Sequence, residues 1–304
     1  MKPTRILSLF LVALLLLPIF TLAETATQEN IIITDMLGRE VAFDQPVKSL
    51  VVLQASDAEI LYAIGAGDRI IGRGEYVNYP AEVMALPSVQ SGFETNYEQI
   101  LALEPEAVIM TKMSQAEKDA MKLEEAGIKV VVTDAQNIEG VYAAITLLGQ
   151  LTGKNEEADA LAASMRASFA DLTEKTAGTQ GGTVYFEVSP LEFGLWTAGK
   201  STFMDEIAVI LGLQNAFYDI EGWQAVSEEQ VLTRDPDYIV TTAMYFGEGL
   251  EPVEEIMARP NWENLKAVKG KAVFNSDSDA ITRPGPRLVD AAKALYDFVY
   301  GQAE

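Results

Sequence analysis

Apolar and polar positions follow each other along the chain in blocks that predict buried strands and amphipathic helices in alternation. The short apolar runs at residues 50–53 and Lys129–Thr133 are typical of buried parallel strands. Ile138–Thr152 has the three-to-four-residue apolar spacing of a helix packed on one face. Residues 31–43 hold two apolar runs around Leu37-Gly38, which predicts a hairpin. Strands that alternate with helices predict an α/β fold with parallel sheets.

One stretch of the sequence occurs twice. Residues 96–109 align with residues 227–240 at an offset of 131, since 96 + 131 = 227. In each copy a capping residue, Asn96 or Ser227, stands three positions before a Gln, which predicts a capping box at the start of a short helix. An acidic turn containing proline then ends the helix, and an apolar β-branched run predicts a buried strand.

A second match has a different offset. Glu59-Ile60 pairs with Glu206-Ile207 at 147 residues, since 59 + 147 = 206. Unequal offsets mean that the loops differ in length between the halves, and the period is too long for a solenoid. We therefore predict two related α/β lobes.

A long helical pattern separates the two halves. Residues 154–175 contain no Gly or Pro, and the Gly-rich stretch 177–182 follows. We expect this helix to connect the lobes. The predicted organisation is a signal peptide at 1–23, an N-terminal lobe at 24–153, a connecting helix at 154–178 and a C-terminal lobe at 179–304.

The first residues have the pattern of a targeting segment. Lys2 and Arg5 precede an apolar run at residues 6–20, and Thr21-Leu22-Ala23 fits a cleavage site. The alternative is an uncleaved membrane anchor, for which the run is short. With no cysteine to be lipidated, we expect cleavage after Ala23 and a protein free in the periplasm.

Composition excludes several classes of function. The formal net charge of −23 argues against a nucleic-acid partner. Cysteine and histidine are both absent, so a thiolate nucleophile, a His-containing catalytic triad, a His-ligated zinc and a His-ligated haem are excluded.

Five blocks in order resemble the periplasmic substrate-binding proteins of ABC importers, in the class that captures iron chelates, haem and cobalamin. They lie at residues 34–41, 59–67, 98–105, 226–232 and 283–288. The resemblance implies two Rossmann-like lobes joined by one long helix, with a ligand cleft between them. It also implies a monomer without a cofactor or catalytic residues, which carries a cobalt or iron chelate to a permease dimer with a cytoplasmic ATPase.

Ligands of open α/β sheets bind outside the carboxyl ends of the strands, and two facing lobes form a cleft there. Tyr and Trp on such loops offer flat surfaces to a large ligand, although each could instead pack onto its own lobe. The predicted ligand-binding residues are Gln54, Ser56, Tyr76, Tyr79, Met113, Trp196, Trp223, Tyr245, Phe246 and Arg283. The loop that carries both tyrosines of the first lobe is predicted at residues 72–80.

The charged residues near the predicted cleft, and two of its tyrosines, each allow more than one role. Arg283 suits an anionic group of the ligand, or a structural salt bridge. Arg287 is expected to be structural, and Lys112 solvated. Ligation of haem iron by Tyr76 or Tyr245 is a further hypothesis. We expect no metal site formed by the protein itself.

Glu98 and Glu229 hold equivalent positions in the two copies of the repeat, each in the first turn of a capped helix. A carboxylate there is stabilised by the helix dipole in any case. The resemblance implies that one such Glu in each lobe docks on arginines of the permease.

Three questions of function stay open at this point. An exported hydrolase with paired carboxylates is one alternative, and a ligand-sensing module of the same fold is another. Among transported ligands, residues 226–232 and 196–203 resemble the cobalamin binders more than the siderophore binders, which implies cobalamin over a ferric siderophore. The small number of Lys and Arg residues near the cleft also disfavours a highly anionic chelate.

Overall fold

The computed structural model describes residues 30–92, 94–112 and 116–301. The predicted signal peptide, its cleavage site after Ala23 and Met113 lie outside these residues. Among the helices of the described ranges, none is both long and apolar enough to cross a membrane.

The N-terminal lobe is built on five parallel strands in the order β5-β4-β3-β6-β7. These are β3 (Leu50–Val52), β4 (Ile70–Gly74), β5 (Ser88–Val89), β6 (Ala107–Thr111) and β7 (Lys129–Thr133). An antiparallel hairpin precedes them, with β1 (Ile31–Thr34) paired to β2 (Glu40–Phe43) around the predicted turn. The helices are α1 (Ala55–Ala63), α2 (Tyr97–Leu101), α3 (Ala116–Glu125) and α4 (Ile138–Thr152).

The C-terminal lobe repeats this plan with four parallel strands in the order β10-β8-β12-β13. These are β8 (Thr183–Glu187), β10 (Gln214–Asn215), β12 (Tyr238–Thr241) and β13 (Val273–Asn275). A separate antiparallel pair joins β9 (Trp196–Ala198) to β11 (Trp223–Ala225). The helices are α6 (Phe203–Ile210), α7 (Glu228–Arg234), α8 (Pro252–Met257), α9 (Lys266–Lys269), α10 (Ser278–Thr282) and α11 (Leu288–Tyr300).

A single helix of 21 residues, α5 (Asn155–Lys175), links the two sheets. It begins directly after α4, because Gly153 adopts a left-handed conformation with φ of 71° and ends that helix. Side chains of both lobes and of α5 share the largest apolar cluster, for example Leu148, Phe169 and Ile207. The predicted fold class, two α/β lobes with parallel sheets, is confirmed.

The two copies of the repeat fold alike, with one difference at their caps. The side chains of Asn96 and Ser227 both accept from the backbone N–H three residues on. Gln230 completes the predicted capping box, whereas Gln99 accepts from the backbone of Gln90 at 2.9 Å instead. The box predicted at Asn96 is therefore only half formed, because its Gln ties the helix to the strand β5 segment.

The predicted loop at residues 72–80 begins too early. Strand β4 continues to Gly74, because both of its glycines allow a close approach that a side chain would block. A Cβ on Gly72 would lie 2.4 Å from Leu103 Cδ1, and one on Gly74 would lie 2.6 Å from the carbonyl oxygen of Leu53.

The carboxyl edges of the two sheets face each other. Contacts between the lobes join the segments that follow β3, β4 and β7 in one lobe to the segment after β13 and to α6, which follows β9, in the other. Since the segments after β3, β4, β7 and β13 leave the carboxyl ends of parallel strands, the cleft lies where the general rule for open α/β sheets places a binding site.

Candidate functional site

A buried carboxylate of the N-terminal lobe holds two arginines of the C-terminal lobe. The Glu59 side chain is 2% exposed. Arg283 Nη1 lies 3.2 Å from Glu59 Oε1, and Arg287 donates through Nε and Nη2 at 2.9 and 2.6 Å. Arg283 also donates to Asn78 at 2.7 Å and pairs with Asp279 at 2.7 Å. These five side chains, the Glu59 clasp, join the lobes at α1.

Hydrogen bonding within the clasp favours the charged form of Arg287. The Glu59 carboxylate raises the pKa of Arg287 above its usual range, although burial opposes this shift. The Arg287 guanidinium also lies 4.2 Å from the centre of the Tyr79 ring, a distance typical of a cation–π contact.

A second contact between the lobes forms at the start of α4. The Glu206 carboxylate of α6 accepts from the backbone N–H of Ile138 at 2.6 Å. Gln136 accepts from Phe203 N at 3.0 Å and from the indole of Trp223 at 3.3 Å. The lobes are thus joined on the side of the molecule that carries α1, α4 and α6.

The structure places four predicted ligand-binding residues in or beside these contacts. Arg283 is in the Glu59 clasp, and Tyr79 lies under Arg287. Ser56 is 2% exposed, and its Cβ lies 3.7 Å from where a Cβ of Gly285 would stand. The half-buried ring of Trp223 packs on Phe203 at 5.2 Å between centres. Their ligand-binding role stays a prediction.

Four other predicted residues expose aromatic surface after strands of the two parallel sheets: Tyr76 after β4, Tyr245 and Phe246 after β12, and Trp196 at the first position of β9, which follows β8. Their exposed fractions are 65% for Tyr76, 44% for Trp196, 46% for Tyr245 and 84% for Phe246. Tyr76 lies beside Gly92, where a Cβ would approach its ring to 3.0 Å. We call these four residues the exposed aromatic set.

Gln54 belongs to neither group. It is half-buried at the N-cap of α1, where its carbonyl accepts from Ala58 N at 3.3 Å and its side chain does not cap the helix. Met113 lies outside the described residues.

Sequence reasoning missed two apolar side chains beside the exposed aromatic set. Phe193 is 76% exposed on the segment that follows β8, and Met244 is exposed after β12. The available signal for Phe193 was its position six residues after the last residue of β8, Glu187.

A buried acid lies below the cleft at the carboxyl edge of the first sheet. Asp57, in the first turn of α1, is 1% exposed and accepts a hydrogen bond from Thr133 Oγ1 at 2.9 Å. Burial raises the pKa of Asp57 to about 7, and the Thr133 hydrogen bond lowers it only in part.

The predicted docking residues are exposed on both lobes. Glu98 and Glu229 lie in the first turns of α2 and α7. The residue before each one anchors its helix: Tyr97 donates to Asp119, and Glu228 accepts from the indole of Trp262 at 3.0 Å. Within residues 30–92, 94–112 and 116–301, no group of three or more carboxylates could hold a metal ion.

Comparison with known proteins identifies the family. A family model described as periplasmic binding protein matches residues 50–280, most of the chain. The chain belongs to this family of periplasmic binding proteins. An uncharacterized ABC transporter substrate-binding lipoprotein of Bacillus subtilis (strain 168), YvrC, is 34% identical over 274 residues, which cover 88% of this chain and 85% of that protein.

Two further relatives fit this assignment. A vitamin B12-binding protein of Salmonella paratyphi A is 32% identical over 248 residues, covering 80% of this periplasmic binding protein and 88% of the relative. A possible iron-binding (periplasmic solute-binding) protein of Staphylococcus epidermidis superposes with a TM-score of 0.73 at 28% identity, covering 84% and 100% of the two chains. The chain is a solute-binding protein of the ABC transporter type and not an enzyme, so the alternative of an exported hydrolase is set aside.

Proposed function

We propose that this periplasmic binding protein captures a metal chelate, a corrinoid or a ferric siderophore, between its lobes and delivers it to an ABC permease. The exposed aromatic set carries the proposal, because both lobes contribute rings to the loops at the facing carboxyl edges. Large exposed aromatic surfaces mark binding sites, and rigid rings suit a large, mostly apolar ligand.

The names of two relatives support this ligand class. The Salmonella paratyphi A relative is named for vitamin B12 and the Staphylococcus epidermidis structure for possible iron binding. Vitamin B12 is a cobalt chelate, and the second name refers to iron. The described residues of this chain offer no cluster of carboxylates for a bare ion, which favours a chelate.

Equilibrium dialysis of residues 24–304 tests the proposal. The panel consists of cyanocobalamin, cyanocobinamide, haemin and ferric trihydroxamates, and each recovered compound is checked by chromatography. We expect saturable binding of one class at one site per chain, with the compound returned intact. Binding of none of them would contradict the proposal, as would conversion of the bound compound.

Delivery to the permease involves Glu98 and Glu229 in this proposal. Their exposure on equivalent helices of two related lobes suits a partner with two-fold symmetry. Rim charges of this kind set encounter rate and register. In vesicles reconstituted with the permease and its ATPase, the double variant Glu98→Arg, Glu229→Arg should bind ligand normally and lose transport. A matched double variant, Glu156→Arg, Glu174→Arg on α5, should transport normally.

We also propose that the signal peptide is cleaved after Ala23 and that the mature protein acts in the periplasm. YvrC is named a lipoprotein, but the 304 residues here contain no cysteine that could carry a lipid. Mass spectrometry of the exported protein tests this point: the mature chain should begin at Glu24 without an added acyl mass.

A further inference from the structure

Every arginine at the carboxyl edges is already occupied by acceptors of the protein itself. Arg283 and Arg287 are held in the Glu59 clasp. Arg259 pairs with the buried Glu187 at 2.6 and 2.9 Å. Arg73 donates through Nη1 to three backbone carbonyls, and its buried Nε has no hydrogen-bond partner.

The remaining arginines of the described residues are engaged in the same way. Their partners are Asp35 for Arg39, the Val47 carbonyl for Arg69, Glu139 for Arg166 and Asp219 for Arg234. Arg69 and Arg73 donate through Nη1 alone, but Arg69 precedes β4 at the amino end of that strand, and Arg73 is only 8% exposed. At the carboxyl edges of the described residues, therefore, no exposed guanidinium is free to form the forked hydrogen bonds by which proteins hold carboxylates and similar anions.

Two described lysines follow strands near the carboxyl edges, and only one of them pairs with a carboxylate. Lys112, after β6, lies 3.7 Å from Asp134, and Lys200, after β9, is exposed. Against them stand exposed carboxylates on the segments that follow β5, β8, β10 and β12, and these carboxylates form no salt bridge with any described residue. These are Glu94, Glu192, Glu221, Glu248 and Glu251.

We propose that the cleft selects chelates by charge: it takes neutral or cationic ones, whose periphery carries amides or ammonium groups, and rejects those with peripheral carboxylates. This inference rests on the proposed function. A cleft lined by one sign of charge focuses its field and concentrates ligands of the opposite sign. An anionic ligand would meet like charges without a free guanidinium to compensate, and such juxtaposition weakens binding strongly.

Pairs of chelates that differ only in peripheral charge test this selection. One pair is cyanocobinamide and the same corrinoid with its side-chain amides hydrolysed to carboxylates. The other is a ferric trihydroxamate with a terminal ammonium and its analogue in which that amine is capped by a succinyl carboxylate. In the pair that binds, the dissociation constant of the amide or ammonium member should be at least about tenfold lower than that of its carboxylate analogue.

The salt dependence of binding gives a second, independent readout. Screening weakens attraction and repulsion alike, so raising NaCl from about 0.05 M to about 0.5 M should weaken binding of the cationic member and strengthen binding of the carboxylate member. Opposite slopes would overturn the inference.

A charge reversal at the cleft should reduce the preference. Glu248→Lys, on the loop after β12, should narrow the ratio of the two dissociation constants at least about threefold. Its control is Glu174→Lys on α5, which changes the net charge equally at an exposed position away from the carboxyl edges. An equal effect of both variants, or no effect of Glu248→Lys, would contradict charge selection at the cleft.

The outcomes separate this inference from the proposed function. If a carboxylate member binds as tightly as its partner, the protein is still a chelate-binding protein and the charge selection is wrong. If no member of either pair binds, the proposed function fails and the selection fails with it.

Discussion

Glu59 and Glu206 hold equivalent positions in the two lobes, and each carboxylate reaches across to the opposite lobe. Glu59 of α1 binds Arg283 and Arg287, whereas Glu206 of α6 accepts from the backbone N–H of Ile138 at the start of α4. The repeat in the sequence thus becomes a pair of crossing contacts. Together with the shared apolar cluster, they hold the lobes together on one side and leave the exposed aromatic set on the loops.

Removal of the Glu59 charge should destabilise the protein strongly. Glu59→Gln removes the buried carboxylate that two largely buried guanidinium groups share, and leaves Arg283 with Asp279 and Arg287 only with Asp277 at 4.0 Å. Breaking a buried ion pair in this way costs about 3–5 kcal/mol. The measurement is the free energy of unfolding of residues 24–304 in urea. The control is Glu82→Gln, because Glu82 is exposed and lines the same surface pocket as Glu59 and Arg287. A loss of less than about 1 kcal/mol would show that the clasp does not stabilise the fold.

Substitutions at Glu206 should separate its hydrogen bond from its charge. Glu206→Gln keeps an acceptor for the Ile138 N–H, whereas Glu206→Leu leaves that N–H without one, which costs about 0.5–2 kcal/mol at a helix N-terminus. Burial raises the pKa of Glu206, so the carboxylate is already partly disfavoured and its neutral replacement should be tolerated well. In urea at pH 7, the wild type and Glu206→Gln should have similar free energies of unfolding, and Glu206→Leu should have a lower one. Equal loss in both variants would contradict this account.

Asp57 should make stability fall as pH rises. Its pKa is about 7 in the folded protein against the usual 3.8, so between these values the folded state keeps a proton that the unfolded state has lost. Stability is therefore greatest below pH 4 with respect to this group and falls until about pH 7. Asp57→Asn removes this dependence, and its gain over wild type should grow from pH 4 to pH 8 by at most about 4 kcal/mol.

Unfolding free energies at several pH values between 4 and 8 check this prediction. Asp171→Asn on α5 is the control, because that carboxylate is exposed and pairs with Lys175 at the surface. A constant difference between Asp57→Asn and wild type across the range would show that Asp57 does not titrate there.

Local patterns predicted most of the fold, because each is fixed by neighbours in sequence. Strand β7 and helix α4 have the predicted bounds, Lys129–Thr133 and Ile138–Thr152. The hairpin turn was predicted from two apolar runs and one glycine. Close packing between distant strands was not predictable in this way, and the extension of β4 through Gly74 was missed for that reason.

The loops that form the candidate site were predicted from the sequence. Which of their residues join the lobes and which stay exposed was not predicted. Arg283 and Glu59 are 224 positions apart, and no local pattern shows that they pair. Trp223 was chosen as a loop aromatic, yet it packs between Phe203 and Gln136 where the lobes meet. Which aromatic residues stay exposed depends on how the lobes meet. The only signal of that contact in the sequence was the match between Glu59 and Glu206, which both reach the opposite lobe.

Hydrogen–deuterium exchange on residues 24–304, with and without the chelate that binds most tightly in the dialysis panel, tests the central claim most directly. We predict slower exchange in the loops at residues 75–79, 188–196 and 242–249, and unchanged exchange in α5 and in the β1–β2 hairpin. Protection confined to α5 or the hairpin, with these three loops unchanged, would place the ligand elsewhere and contradict a binding site between the carboxyl edges of the two lobes.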